Sequence, residues 1–174
     1  KKKQIKNLYL NENDFAGIAS QLAIYQHPKA NQILEEQQTR ISNPDRLKRF
    51  KWLLLTLTDD ENVRNNFMYS LYQKENREKE SWVQSALGNI HHPLRQKSGV
   101  KHLKACLEIL EEIQLTGDIF FPKGWLSSSV GRYSSKEAYD IVQTFLNENP
   151  TYNPILKKKL LQTVDNLFRA QEIK

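Results

Sequence analysis

The sequence has little of what catalytic, secreted or membrane-spanning chains usually carry. Among its 174 residues there is one cysteine, Cys106, which excludes an internal disulfide. No apolar run approaches the ~20 residues that cross a bilayer, so no membrane segment is expected. The chain opens on Lys1-Lys2-Lys3, without a methionine or a following apolar stretch, so no signal peptide is visible. That opening reads as a processed chain or as an excised piece of a longer one. Its six glycines are scattered, and Gly88 and Gly99 stand too far apart for a phosphate-cradling loop. Ser127, Ser128 and Ser129 are consecutive but lack the Gly-x-Ser-x-Gly turn that exposes a nucleophile. None of the four histidines, His27, His91, His92 and His102, is followed by glutamate. The His-Glu-x-x-His pair of a zinc hydrolase is therefore missing. Strand alternation and Asn-Gly or Asp-Gly hairpin signals are absent as well.

What is present is charge, and helical periodicity. The formal net charge is +6. Lys1-Lys2-Lys3 and Lys157-Lys158-Lys159 hold six of the positive groups, and the rest are interleaved with acids such as Glu108, Glu111 and Asp140. A dispersed excess reads as a solvated surface, and no nucleic-acid partner is expected. His102 and Cys106, spaced i, i+4, form at most half a metal site. Structural zinc takes about four ligands, so the pair reads as a packed thiol beside a partly exposed imidazole. Glu111 and Glu112 are adjacent and so diverge by about 100° on a helix, as a solvated pair rather than an acid/base couple.

The stretch His91–Leu126 has the longest helical pattern. Val100, Leu103, Leu107, Leu110 and Ile113 follow a three- and four-residue rhythm, widened by Ala105, Cys106 and Ile109. A helix with so broad an apolar arc must be covered on more than one side. Ser98 is expected to cap it and Gly117 to end it in a left-handed turn. Asp118 to Pro122 then runs extended, and Trp125-Leu126 forms a short apolar turn before a polar loop, Ser127 to Ser134.

Other helices begin at caps: Asn11 with Asp14, Asn43 before Pro44, Thr58 or Asp59, Ser135, and Asn153 before Pro154. The expected inner faces are Phe15, Ile18, Leu22 and Tyr25; Ile33, Leu34 and Ile41; Leu47, Phe50, Leu54 and Leu57; Val63, Phe67 and Leu71. Further along they are Trp82, Val83, Ala86, Leu87 and Ile90; Ala138, Ile141, Val142 and Phe145; Leu156, Leu160, Val164, Leu167 and Phe168. Gln73 to Lys79, charged and unpatterned, is the best linker candidate. Residues 1–10 read as a linker or strand remnant, and residues 11–174 as a single helical-repeat domain. Helix starts recur about every 15 to 20 residues with short links, which implies an all-α stack of antiparallel helix pairs, about eight helices in the armadillo or HEAT manner.

One surface has the chemistry of a site. His91, His92, Arg95 and Lys97 cluster at one end of the central helix, and Lys123 and Arg132 lie in the next irregular stretch. If they converge, His92, Arg95, Lys123 and Arg132 form a cationic concavity for a peptide carboxylate or a domain interface. The plainer alternative has Arg95 capping helix carbonyls and His92 packed in the turn.

The segment WVQSALGNIHHPLRQKSGVKHLKACLEILEEIQLTGDIFFPKGWL resembles the carboxy-terminal helical domain of bacterial aminopeptidase N-like (gluzincin) zinc aminopeptidases. The similarity continues in AYDIVQTFLNENPTYNPILKKKLLQTVDNLFRA and, upstream, in ISNPDRLKRFKWLLLTLTDDENVRNNF. It covers Asn11 to Ile173, and its most specific pieces are His91-His92-Pro93-Leu94-Arg95 and Asp118-Ile119-Phe120-Phe121-Pro122 with Trp125-Leu126. The resemblance implies an armadillo- or HEAT-like superhelix that caps a catalytic domain and shapes peptide access. The zinc, its ligands, the glutamate base and the Gly-x-Met-x-Asn motif belong to earlier domains of that family, and none of those motifs occurs here. The expected partners are the catalytic domain of the same parent chain and its peptide substrates, with no catalytic residue and no cofactor in this segment. The compartment is the bacterial cytoplasm or periplasm, depending on the parent's amino terminus. A stand-alone helical scaffold for protein or peptide binding is the competing reading.

Overall fold

Residues 8–173 are described in this computed structural model, and no strand is present among them. Of the expected linker or strand remnant, residues 1–7 lie outside the described part and Leu8–Leu10 precede the first helix. The chain divides into two compact units, Lys1–Asp59 and Asp60–Lys174.

In the first unit α1 (Glu12–Ile24), α2 (Ala30–Arg40) and α3 (Pro44–Leu57) pack on one another. Asn11 makes the expected capping box: its side chain accepts from the Asn13 and Asp14 amides, and the Asp14 carboxylate accepts the Asn11 amide at 2.8 Å. At the other end the His27 amide reaches the Leu22 carbonyl and the Gln26 amide the Ala23 carbonyl. This double closure puts Gln26 at φ 54°, in the left-handed position glycine usually fills. Glu12 ties the start of α1 to the α2–α3 link, accepting the Ser42 amide at 3.0 Å and pairing with Arg46 at 3.2 Å.

The core joins Ala19, Ala23 and Ile24 to Ala30, Leu34, Ile41, Phe50 and Leu57, with Ala16, Ile33, Leu47 and Leu54 packed against it. The expected faces of α2 and α3 hold. That of α1 does not: Ile18 is 47% exposed and Tyr25 64%, and Phe15 also faces outward. α1 turns its alanines toward α2 instead, since short side chains permit a close interaxial approach.

The second unit contains α4 (Glu61–Ser70), α5 (Glu80–Ile90), α6 (Gln96–Gly99), α7 (Leu103–Glu108), α8 (Leu110–Thr116), α9 (Phe121–Ser128), α10 (Lys136–Glu148), α11 (Pro154–Thr163) and α12 (Asp165–Glu172). α9 packs against both α5 and α11, and α7 against α10. The expected inner faces of α5, α10 and α11 hold, with Val83, Ala86, Leu87, Ala138, Val142, Leu156 and Leu160 all buried. Asp60, rather than Thr58 or Asp59, caps α4 through the Asn62 and Val63 amides.

Among the described residues there are more helical segments than the eight expected, because the central stretch is not one helix, the expected turn at Trp125-Leu126 is the helix α9, and the expected last helix breaks at Val164 into α11 and α12. The central stretch passes through α6, a 3₁₀ turn at Val100–His102, α7 and α8, with a break at Ile109. Its burial is nonetheless as expected: Leu103, Cys106, Leu107, Leu110 and Ile113 are fully enclosed.

Four further local expectations are corrected. Ser98 does not cap; it lies inside α6 and its hydroxyl donates to the Arg95 carbonyl at 3.0 Å. Gly117 is extended, at φ −103°, not left-handed. Asp118 to Pro122 is not an extended run, because the Asp118 carboxylate accepts the Phe120 and Phe121 amides, so α9 starts at Phe121 with Pro122 in its first turn. The polar loop Ser127 to Ser134 is instead the end of α9 followed by a 3₁₀ turn, with Ser129 and Val130 fully buried.

Nor is Gln73 to Lys79 a linker. It contains a 3₁₀ turn, Lys74–Arg77, whose buried Arg77 donates to the Leu71 carbonyl at 2.6 Å and pairs with Glu112 of α8.

Candidate functional site

The HHPLR motif sits where α5 ends. His91 is the helix's last cap residue and is fully buried. Its Nδ1 lies 2.7 Å from the Tyr133 hydroxyl, and the two rings meet edge to face at 5.7 Å. The Nε2 atom is buried and has no hydrogen-bond partner among the described residues. Burial, reinforced by His102 and Arg132, pushes the imidazole down to about 3, so it is neutral at pH 7. α6 passes close beneath this pair. A Cβ on Gly99 would stand 2.6 Å from the Tyr133 hydroxyl oxygen and 3.1 Å from the Ile90 carbonyl oxygen, so only glycine fits there without rearrangement.

His92 follows at the surface. Its Nδ1 accepts the Leu94 amide at 3.3 Å and so caps the Pro93–Arg95 turn. Its imidazole is held below the usual range by partial burial and then by Arg132 and Arg95. Arg95 itself is only 7% exposed. Arg132 is exposed, and its carbonyl accepts the Gln96 side-chain amide at 2.6 Å. The fold therefore brings His92, Arg95 and Arg132 into one electrostatic neighbourhood. Lys123 stands exposed on α9, and no hydrogen bond or salt bridge among the described residues joins it to the other three.

Arg132 and Arg95 thus place positive charge beside the His92 imidazole. His91, by contrast, is sealed against Tyr133. His102 and Cys106 do not act together: the His102 Nε2 is 2.9 Å from the Asn65 side-chain oxygen. Burial pushes the Cys106 thiol up to about 12, despite a hydrogen bond with Ser129. The Trp125 indole donates to the Cys106 carbonyl at 3.0 Å. Among the described residues no group of three or more His, Cys, Asp or Glu side chains is placed to hold a metal ion, and no helix is long and apolar enough to cross a membrane.

Sequence reasoning missed Tyr133 and Gln96, the two side chains that fasten this corner. Tyr133 was legible only as an aromatic closing a stretch otherwise polar, and Gln96 carried no signal.

What fold and site define together is an all-helical module whose polar groups mainly lock one helix to another. Comparison with protein-family models, curated proteins and solved structures gave no match for this chain.

Proposed function

We propose that this chain is the non-catalytic carboxy-terminal helical part of a zinc metallo-aminopeptidase, docking on the catalytic part and shaping peptide access to its chamber. The observation that carries the reading is how the most specific pieces of the resemblance are used. His91 closes on Tyr133, Asp118 starts α9, and Trp125 ties that helix to Cys106. Residues that resemble a family's branch signature without being catalytic are expected to do such structural work. The all-helical fold agrees with the same reading. In it, His92, Arg95 and Arg132 face the catalytic part or the carboxylate of an incoming peptide, Lys123 adding charge at a distance, while zinc is held by residues outside this chain.

The test is the coding sequence upstream of Lys1. It is expected to encode His-Glu-x-x-His and Gly-x-Met-x-Asn in one continuous frame. A frame that starts at or beside Lys1, or hydrolysis of an aminoacyl p-nitroanilide by this chain alone, would overturn the proposal. The competing reading, a stand-alone scaffold for peptides, is favoured by the groove between α7 and α10 described next.

A further inference from the structure

On the second unit, α10 and the α7–α8 stretch enclose two adjoining recesses. One, of about 520 Å³, lies along α10 beside Lys104, and the other, of about 540 Å³, runs from Glu108 and Glu111 to the Asn149–Tyr152 link. They share Phe145 and Glu148, so they form one continuous groove. The first recess has an apolar floor, lined by Ile141 and Phe145, whereas the second is mainly polar apart from the Tyr152 ring, which meets Phe145 edge to face at 5.1 Å. The Tyr152 hydroxyl is buried and has no hydrogen-bond partner among the described residues.

The rim carries a charge opposite to that of the chain as a whole. Glu108 and Glu111 stand on one wall, and Glu137, Asp140 and Glu148 on the other. Two lysines oppose them and both are already engaged, Lys104 with Glu108 at 3.8 Å and Lys136 with Asp140. Glu111, Glu137 and Glu148 have no salt bridge among the described residues. In a protein of net charge +6, a run of unmatched carboxylates along a groove floored at one end by Ile141 and Phe145 is a local reversal of sign.

From Glu137 to Glu148 the groove follows α10 for about 16 Å, at ~1.5 Å per residue. That length takes about three turns of a helix or about five extended residues. It is longer than a single cationic metabolite needs, and its sign repels nucleic acid. We infer that this groove is a docking site for a basic, amphipathic polypeptide segment, one that sets leucine-like side chains on Ile141, Phe145 and Tyr152 and lysine or arginine against Glu111, Glu137 and Glu148. This does not rest on the aminopeptidase reading, because it needs only residues of the second unit.

The experiment uses the full chain and a fluorescein-labelled synthetic peptide of alternating lysine and leucine blocks, with a glutamate-for-lysine analogue as control. Fluorescence anisotropy is expected to show the basic peptide binding at low salt and weakening by about tenfold or more at roughly 0.5 M salt. The Glu137→Lys/Glu148→Lys double variant, reversed only at exposed positions, should lose at least about tenfold in affinity while keeping the parent helical circular dichroism. Ile141→Ser should weaken binding without changing its salt dependence, which separates floor from rim. Equal binding of the acidic analogue, unchanged binding by the double variant, or no binding at millimolar peptide would overturn the inference. So would self-association in sedimentation that the double variant abolishes, because the occupant would then be a second copy of the chain. None of these results bears on what lies upstream of Lys1, so the two proposals stand or fall separately.

Discussion

α1 in the first unit, thirteen residues long, and α9 in the second, eight residues long, both carry large apolar residues, yet they bury different things. α1 presents Ala16, Ala19, Ala23 and its last residue, Ile24, inward and leaves Phe15 and Ile18 outside, with Tyr25 exposed at its cap. α9 buries Phe121, Trp125 and Leu126 almost completely. The contrast extends to the whole units: among the twelve largest fully enclosed side chains of the described residues, Leu57 alone comes from the first. A close approach of two backbones gains contact through many small contributions, whereas a deep core gains it through large side chains taken wholly out of water. The second arrangement concentrates stability in a few positions. The first spreads it thinly, and a single truncation there should cost less.

The sharpest way to break that contrast is Leu110→Ala, at a fully buried position of α8. It should destabilise the second unit by about 2–5 kcal/mol, because the surrounding helices cannot collapse into the space. Urea unfolding read by amide exchange, resolved peptide by peptide, is the measurement, since two compact units need not unfold in one step. A loss below about 1 kcal/mol would mean that α8 is not central to that core.

A second test exploits the histidine that only the deep core could keep neutral. His91 titrates at about 3 in the fold against 6.5 as a free imidazole. Below pH 6.5 the unfolded chain therefore binds a proton that the folded one refuses. The resulting loss of stability begins as pH falls through about 6.5 and is complete near 3; above 6.5 the group contributes no pH dependence. The groups facing it are Tyr133, His102 and Arg132. Over the whole window the effect is on the order of a few kcal/mol. His91→Asn, which keeps a polar atom near the Tyr133 hydroxyl, should lower stability at pH 8 but flatten the slope between pH 6 and 4 in the second unit. An unchanged slope would show that another group dominates that window, His102 foremost, since burial pushes it down to about 4.

The same contrast explains what could be read from the residues and what could not. Caps were legible at Asn11, Ser135 and Asn153, because a short polar side chain satisfies orphan amides two or three residues ahead and needs nothing distant. The burial of Leu103, Leu107, Leu110 and Ile113 was legible because their spacing gives a single apolar answer. The break at Ile109 was not, since a local departure from helix leaves the apolar spacing nearly unchanged. The inward face of α1 was misjudged for a related reason. Hydrophobicity ranks Phe15 and Ile18 above Ala19 and Ala23, but packing distance to α2 decides, and that is a property of the pair of helices. Arg77 shows the limit from the polar side: its bonds to Leu71 and Glu112 turn an apparent linker into interior, and only the fold brings those partners near it. For the candidate site, His92, Arg95 and Arg132 come into one electrostatic neighbourhood, whereas no hydrogen bond or salt bridge among the described residues joins Lys123 to them. The groove along α10 was invisible, because its acids come from three separate helices.

The smallest expected effect bears on the first unit most directly. Ile18 lies on the outer face of α1 with Phe15 and Leu22, beside a shallow recess that includes Leu10 and Gly17. At 47% exposure, Ile18→Gln removes little surface from a buried environment and introduces a residue with good helix propensity. The change in stability should stay within about 0.5 kcal/mol. Amide exchange of α1 and α2 at neutral pH measures it, with Ala19→Gln as the counterpart one residue on, at the α1–α2 contact. There the longer side chain must force the two backbones apart, and a loss of about 1–3 kcal/mol is expected from overpacking. If Ile18→Gln proved the costlier of the two, α1 would be seated by its large residues after all. The distinction between a unit held by close-set alanines and one held by enclosed leucines and aromatics would then collapse.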